Sequence, residues 1–462
     1  MGQHKHIKAT LQSPKDPTRA RCDIPLLIYI IVIATRPLLV SFTVREVSNN
    51  TGIQIDFGEK YLKKCGPDRR LWLSIRARNQ EKRNLRQVPP LLSGSLQDVT
   101  IHPVHRRRSN YHNSLVSIWQ GGAEETAVCR QPPRPAPKSL CFRTNRIATT
   151  QFFDQLRRGF SISINRREGG FVTRKNPNSR PWIAGYIDFA SIQSISMSAA
   201  VVLAADYDRL RHFLSEVPPT INLRRWDPVV VTKLHQLGFF NILGHQPDPN
   251  LLLQDGDFLL MRILRSTDCG NLGDVDDALM ELGAFVSEDD ESLDEKVTHT
   301  LSIVSEVMSN VTQHAYRNDV DFRYDHLDSF WVSAEANRSD RTLRIVLYDQ
   351  GATIPVTYPK MARTDRVIRF LERVLRGSPK FDYGDDGTYI RAALRYGGSR
   401  TDLSYRGKGF PQMIELLDTL GGGELTVLSR GGWCARARNG KVTSGSYPCS
   451  IGGTLVEWKI EL

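Results

Sequence analysis

The sequence predicts an α+β protein in which a small α/β domain precedes a larger sandwich of helices packed on a sheet. Three observations lead to this prediction. Strand and helix patterns alternate between residues 182 and 240, a long amphipathic helix and antiparallel strand pairs fill residues 295–462, and neither pattern begins before about residue 148. Alternating strands and helices are typical of α/β units, whereas helices beside antiparallel strands are typical of α+β folds. We therefore divide the chain into residues 1–147, 148–250, 251–294 and 295–462.

The first of these segments differs from the others in charge and in pattern. Residues 1–150 contain 25 Lys and Arg against 10 Asp and Glu, whereas the remaining residues contain 37 against 40. The basic excess of the chain is therefore local, and the near-neutral remainder argues against a nucleic-acid partner. Because no helical or strand period persists in residues 1–147, we expect this basic region to be largely disordered. An alternative is that the protein starts farther downstream and that this region is upstream sequence that has been read as protein.

One apolar run, Pro25–Ala34, lies within the basic region. The run is about ten residues long before Arg36 interrupts it, and a membrane-spanning helix needs about twenty. A membrane anchor or signal segment is one interpretation, and a buried strand or unstructured segment is the one we favour, so no membrane partner is expected. The seven cysteines are odd in number and form no metal-ligand spacing, which is typical of a reducing compartment. We therefore expect a cytoplasmic protein.

The α/β domain is predicted over residues 148–250. Its helices begin near Phe152, at Ser196 and at Asp227, where Asp at the cap and Pro228 in the first turn favour a helix start. Strands are predicted over Trp182–Asp188 and Thr220–Leu223. Residues 251–294, which include the acidic tract Ser287–Glu295, are interpreted as a linker.

The last domain, residues 295–462, is predicted to contain four helices and four strands. Its antiparallel pairs and interleaved helices favour a two-layer arrangement. The predicted helices are Val297–Tyr316, Asp365–Arg376, Asp386–Tyr396 and Phe410–Leu420, and the strands are Ser329–Glu335, Thr342–Tyr348, Glu424–Ser429 and Thr454–Glu461.

Three polar residues of the first helix point to chemistry. Glu306, Asn310 and His314 are four residues apart, so they share one helical face. A carboxylate can deprotonate a nucleophile, and an Asn oxygen suits Mg²⁺, which prefers oxygen ligands and bridges phosphates. A solvated polar face would produce the same spacing, and both interpretations stay open for the helix alone.

Three further motifs follow in the sequence. Asp349 and Gly351 come directly after an apolar strand, where an Asp can accept a hydrogen bond from an exocyclic amine. Arg406–Gly409 precedes a helix, and closely spaced glycines there expose N–H groups to a phosphate. Thr454 enters the last strand beside Gly453. Each motif alone also fits an ordinary turn or hinge.

In this order the motifs resemble the nucleotide-binding boxes of the GHKL superfamily, which includes histidine kinases, anti-sigma kinases and gyrase. The resemblance covers about residues 295–462 and implies a Bergerat-type α/β sandwich that binds ATP with Mg²⁺. It implies Glu306 as general base, Asn310 as the Mg²⁺ ligand and Asp349 as the adenine contact. Two departures are Thr353, where a second glycine is usual, and a long lid between Gly351 and Gly407. The implied nucleotide-binding residues are Asn310, His314, Asp349, Gly351, Arg406, Gly407, Lys408, Gly409 and Thr454.

Residues of about 150–245 resemble a STAS domain, the fold of anti-sigma antagonists. The resemblance rests on Ile187–Phe189 and on the stretch Ser194–Leu203 that enters a helix. In antagonists a Ser at such a helix start is phosphorylated by the partner kinase. Met197 aligns nearest that position, with Ser196 and Ser198 on either side, so a structural helix start is favoured over phosphorylation.

Together the two resemblances favour a bacterial signal-transduction regulator, a serine kinase of the anti-sigma, partner-switching type. An ATP-dependent conformational switch or ATPase without phosphate transfer is the alternative. A histidine kinase is disfavoured, because no paired-helix segment with an exposed His precedes the ATP domain. The expected partners are ATP and regulatory proteins, with a homodimer left open. We also expect the two domains to contact each other, with nucleotide changing their contact.

Overall fold

The protein is described here by a computed structural model. The described residues are 44–46, 53–55, 113–166, 170–254, 256–286, 293–316, 322, 324–361, 371, 374, 385–396, 414, 417–418, 423–447 and 449–461. The chain divides into two compact units, residues 1–106 and 107–462. In the first unit, β1 (Val44–Glu46) pairs antiparallel with β2 (Ile53–Ile55). The apolar run Pro25–Ala34 lies outside the described residues. No helix in the described ranges combines the length and hydropathy that crossing a bilayer requires.

The second unit opens with a β-hairpin that precedes the predicted domain boundary. Strands β3 (Ser114–Gln120) and β4 (Ala123–Cys129) pair antiparallel around Gly121 and Gly122, which both have positive φ. The inward-facing side chains of the hairpin are buried with Ile183 and Ile221, and they are Val116, Ile118, Ala127 and Cys129. Thr220 and Ile221 also pair with β3. The α/β domain therefore extends N-terminal to the predicted boundary at residue 148.

The rest of the α/β domain consists of short strands and four helices. Its strands are β5 (Arg134–Pro135), β6 (Ser139–Leu140), β7 (Trp182–Ile183), β8 (Ile187–Asp188), β9 (Ser194–Ile195) and β10 (Thr220–Ile221). Its helices are α1 (Arg146–Arg166), α2 (Met197–Leu214), α3 (Pro228–Gln236) and α4 (Phe239–Leu243), with 3₁₀ turns at Phe189–Ser191, Leu223–Arg225 and Pro249–Leu251. One sheet has the order β10-β3-β4-β7, and β5–β8 and β6–β9 form separate parallel pairs. The predicted strand Trp182–Asp188 is therefore two strands with different partners.

Two helix starts of this domain have the caps expected from the sequence. The Asp227 carboxylate accepts hydrogen bonds from the N–H groups of Val229 and Val230 at the start of α3. Ser196 caps α2 by accepting from the N–H of Ala199. Both caps satisfy backbone donors that have no partner within the helix.

Residues 251–294 are not a linker, which corrects the sequence interpretation. Strands β11 (Phe258–Leu260) and β12 (Leu264–Ser266) both pair with β13 (Phe330–Asn337), and α5 (Leu272–Val286) packs along α6 (Leu293–His314). The two strands of this segment are only three residues long, so their apolar pattern is too short to predict them from the sequence. The acidic tract lies largely outside the described residues.

The C-terminal part builds one large antiparallel sheet. Its remaining elements are β14 (Thr342–Asp349), α7 (Ile354–Met361), α8 (Asp386–Tyr396), β15 (Gly423–Ser429), β16 (Gly432–Arg436), β17 (Val442–Ser446) and β18 (Thr454–Glu461). The strand order is β11-β13-β14-β18-β15-β16-β17, with β12 beside β11 on β13. The α+β class is thus confirmed. Most of the predicted helix Asp365–Arg376 and most of the predicted helix Phe410–Leu420 lie outside the described residues.

Both faces of this sheet are covered. Helices α5 to α8 pack on one face against alternate strand residues that include Val332, Ile345, Val427 and Trp458. The side chains between them in the strands, Trp331, Val346, Tyr348, Leu428 and Leu455, pack on the opposite face in one core with α1, α2 and α4. Strand residues alternate between faces, so this pattern buries the sheet on both sides. The α/β domain and the sheet therefore contact each other through α2.

Candidate functional site

Helix α6 carries the first set of predicted site residues. Its apolar side chains, including Val304, Val307 and Met308, are buried against the sheet. Glu306 is half-buried on a neighbouring face of the same helix. The backbone of residues 310 and 314 lies in α6, whereas the side chains of Asn310 and His314 lie outside the described part of the chain. The helix therefore places these positions on one side, as the four-residue spacing predicts.

Asp349 lies at the end of β14, between Phe330 and Thr454 on the neighbouring strands. It is buried, with 3% of the residue exposed. The carboxylate accepts a hydrogen bond of 2.8 Å from the N–H of Gly351. Burial raises the pKa of Asp349 to about 7, although hydrogen bonds from the Gly351 and Thr454 backbone oppose this rise. The site thus holds a carboxyl group that titrates near neutral pH.

Two glycines let backbone segments approach this carboxyl closely. A Cβ on Gly351 would lie 2.5 Å from the carbonyl oxygen of Ala315, and one on Gly453 would lie 1.8 Å from the carbonyl oxygen of Asp349. The N–H of Ala352 also donates to the Ala315 carbonyl oxygen at 2.5 Å. The turn after Asp349 is therefore bonded directly to the residue that follows α6.

Hydroxyl groups complete the surroundings of Asp349. The Oγ1 of Thr454 is 2.9 Å from the Oγ of Ser429. The Oγ of Ser429 in turn accepts a hydrogen bond of 2.9 Å from the N–H of Ile354. The hydroxyl of Tyr316 donates to the carbonyl oxygen of Ser329 and accepts from the N–H of Gln350. Thr454 and Ser429 are both buried. These bonds hold the start of α7 and the end of α6 against the same strand ends.

The structure brings together three of the predicted residues and the helix that carries three more. Asp349, Gly351 and Thr454 meet at adjacent strand ends, with the carboxyl end of α6 against them. Glu306 lies nine residues before Ala315, which is about 13 Å along the helix axis. Arg406, Gly407, Lys408 and Gly409 lie outside the described residues. Asp349 therefore lies beside the carboxyl end of α6, and Glu306 lies farther back within the same helix.

A buried polar network on the opposite face of the sheet was not foreseen from the sequence. Nε of Arg157 donates to Oδ1 of Asp206 at 2.9 Å, and neither side chain is more than 2% exposed. Nη2 of Arg157 lies 3.3 Å from the hydroxyl of Tyr348. The side-chain amide of Gln350 donates to Oδ1 of Asp206 at 3.3 Å. Gln350 therefore links the turn that follows Asp349 to helix α2.

The signal for this network was present but ambiguous. Asp206, Asp208 and Arg209 follow the apolar first half of this helix, and a charged residue is seldom fully buried unless it is paired. The sequence does not show that Arg157, on another helix, is the partner of Asp206.

No protein family and no curated protein matches the chain.

Proposed function

We propose that residues of about 295–462 bind ATP with Mg²⁺ in a GHKL-type, Bergerat-like site, and that the protein is an ATP-dependent regulator of the partner-switching kind. One observation carries the proposal. Asp349, Gly351 and Thr454 meet at adjacent strand ends, and the Asp349 turn is bonded to Ala315 at the end of the helix that carries Glu306 and Asn310. Asp349 and Thr454, which are distant in sequence and were named from separate sequence motifs, are paired there.

In this proposal Asp349 accepts a hydrogen bond from the exocyclic amine of adenine, and Gly351 and Gly453 allow the close backbone packing that holds the Asp349 turn in place. Asn310 would hold Mg²⁺ on the phosphates, since an amide oxygen suits a hard cation. Glu306, farther along the same helix, would take the proton of the attacking hydroxyl or water. The glycine-rich segment Arg406–Gly409 would contact the phosphates through backbone N–H groups.

Transfer of phosphate to a protein substrate is the catalytic form of this proposal. The α/β domain, with its parallel pair β6–β9 leading into the capped start of α2, would act as a STAS-like partner module. Ser198 is buried, with 2% exposed, and the Ser196 hydroxyl is engaged as the helix cap. Neither hydroxyl can reach a nucleotide without displacement of α2. The acceptor is therefore assigned to a separate regulatory protein.

A specific contact favours a conformational switch without transfer as the second candidate. The Gln350 amide bonds Asp206 on α2, and Gln350 directly follows Asp349. A nucleotide that moves the Asp349 turn would thereby pull on the helix that joins the two domains. Hydrogen exchange with and without Mg-ATP tests this link. Protection confined to residues 295–462, with α2 unchanged, would contradict it.

The nucleotide site is tested by calorimetric titration of Mg-ATP. We expect Asp349→Asn and Asn310→Ala to abolish measurable binding, because each removes a direct contact to adenine or to the metal. Asp340→Asn is the matched control, since this residue lies in the exposed turn between β13 and β14. Unchanged affinity in both site variants would refute the proposed site. Labelled ATP with wild type and Glu306→Gln then separates phosphate transfer or hydrolysis from binding alone.

A further inference from the structure

A cavity of about 250 Å³ lies on the face of the sheet opposite α6. It is open to solvent on one side and is lined by residues of α1 and α2, by residues 322 and 324–326, by residues 350–353 and 356, and by residues 430, 450 and 452. A water molecule in the liquid occupies about 30 Å³, so the cavity has room for several waters or one small ligand. It is smaller than the roughly 300–1,000 Å³ of sites for drug-sized molecules. This volume suits a small molecule better than a nucleotide.

Three arginines and two aspartates, Asp206 and Asp325, line this cavity, and Arg209 is the arginine among them for which no ion pair is found in the described residues. Arg157 is neutralised by Asp206, and Arg430 is paired with Asp386. Arg209 lines the same cavity and is 2% exposed. The Nη1 of Arg209 donates to the carbonyl oxygen of Asp325 at 2.8 Å, and its guanidinium lies 5.7 Å from the Tyr324 ring. Neither of these contacts supplies a negative charge.

Two donors of Arg209 have no partner among the described residues. These atoms are Nε and Nη2, and both are buried. Their N–H bonds lie along one edge of the planar guanidinium, which is the edge that binds two oxygens of a carboxylate or phosphate in parallel. Burial lowers the pKa of Arg209, and this effect outweighs the attraction of the nearby Asp206 carboxylate, which raises it. A buried guanidinium in this state is destabilising until an anion pairs with it.

We infer that the cavity is a binding site for a small anion, whose phosphate or carboxylate group pairs with Nε and Nη2 of Arg209. Gln350 to Thr353 line the cavity, so the bound anion would lie against the turn that follows Asp349. Through this turn the bound anion would change the affinity for nucleotide. That regulatory effect rests on the proposed function, whereas binding of the anion does not. The ligand is one small oxyanion. It is either inorganic phosphate or a small carboxylic acid, because both carry the oxygen pair that a guanidinium edge binds.

The test is thermal unfolding and calorimetry of the full chain with inorganic phosphate, sulfate or malonate, each against potassium chloride at equal ionic strength. Equal ionic strength removes the general screening effect of salt. We expect a saturable rise in the unfolding temperature with at least one oxyanion, because a ligand that binds the folded state stabilises it. If phosphate and sulfate raise the unfolding temperature more than malonate does, the ligand is inorganic phosphate. If malonate raises it more, the ligand is a small carboxylic acid.

Three variants make the assignment specific. Arg209→Met removes the donors and the unpaired charge, so we expect it to fold without anion at least as stably as wild type and to lose the anion response. Arg209→Lys keeps the charge but not the paired donors, and we expect its affinity to fall at least tenfold. Arg225→Met removes the same charge from an exposed position outside the cavity and should keep the response.

Two results would overturn the inference. One is a wild-type chain that responds to none of the three anions beyond chloride, and the other is a response that persists in Arg209→Met. Loss of nucleotide binding in Asp349→Asn with the anion response intact would separate this site from the proposed ATP site. An anion response in a chain that never binds Mg-ATP would leave the anion site standing and refute the proposed function.

Discussion

The buried carboxyl of Asp349 is expected to make nucleotide affinity depend on pH near neutrality. Burial raises the pKa of this group to about 7, and the exocyclic amine of adenine is a donor that needs the ionised form as its acceptor. If only the carboxylate binds, a group with this pKa is about nine-tenths protonated at pH 6 and about one-tenth at pH 8. The dissociation constant of Mg-ATP should therefore rise roughly tenfold from pH 8 to pH 6, which is about 1.4 kcal/mol.

Calorimetry at saturating Mg²⁺ measures this effect, because bound Mg²⁺ keeps the phosphates of ATP deprotonated over the range. Buffers with different ionisation enthalpies should report the release of close to one proton per nucleotide at pH 6. Asp340→Asn, in the exposed turn, should retain the full pH dependence. A dissociation constant that stays constant between pH 6 and pH 8 would refute the assignment of Asp349 as the adenine acceptor.

The same group predicts the sign of the pH dependence of stability without nucleotide. The pKa of Asp349 is higher in the folded protein than its ordinary value of 3.8, so the folded state binds the proton more tightly. Its contribution to stability is complete below pH 4 and is lost as the pH rises through 7. Because the folded and ordinary pKa values differ by about 3, the free energy of unfolding should fall by roughly 4 kcal/mol across this pH range. Asp349→Asn should flatten this part of the stability profile measured by urea unfolding.

Three further changes have defined outcomes. Glu306→Gln should leave Mg-ATP affinity nearly unchanged and lower phosphate transfer or hydrolysis by roughly 10²–10⁴-fold, measured with labelled ATP, and equal rates would exclude a general base there. Asp206→Ala should lower the free energy of unfolding in urea by about 3–5 kcal/mol, because it leaves Arg157 buried without its carboxylate. Replacing Arg157 by Met and Asp206 by Leu together should recover most of this loss. Deletion of residues 1–106 should preserve the unfolding transition, and deletion of residues 1–145 should lower its midpoint, because it removes the hairpin Ser114–Cys129. Equal midpoints for the two truncations would contradict the placement of that hairpin in the core.

Elements with a strong local pattern were predicted with accurate boundaries. The strand Thr454–Glu461 and the helix Asp386–Tyr396 were predicted with the bounds that the structure has, and the strand beginning at Thr342 extends by one residue to Asp349. These segments combine a clear two-residue or 3.6-residue apolar period with a sufficient length, which is information carried within the segment itself. The position of Asp349 at a strand end followed from the same pattern.

The hairpin at residues 114–129 was missed because its stability comes from distant partners. Its second strand begins with Ala123, Glu124 and Glu125, which do not suggest a buried strand. The side-chain oxygen of Asn222 accepts a hydrogen bond from the N–H of Ser117, 105 residues away in sequence. The short strands β11 and β12 were missed for the same reason, since each exists only as a partner of β13.

The sequence by itself determined the α+β class, the long helix with Glu306, Asn310 and His314 on one side, and the chemistry expected of Asp349. Each of these depends on periodicity or on residue type, and both are local properties. Only the tertiary structure decided that α2 packs on the sheet of the last domain, that Arg157 pairs with Asp206, and that Arg209, which has two unpartnered donors, lines a cavity. Pairing of charges across helices depends on which surfaces meet when the chain folds, and no pattern within one segment specifies its distant partner.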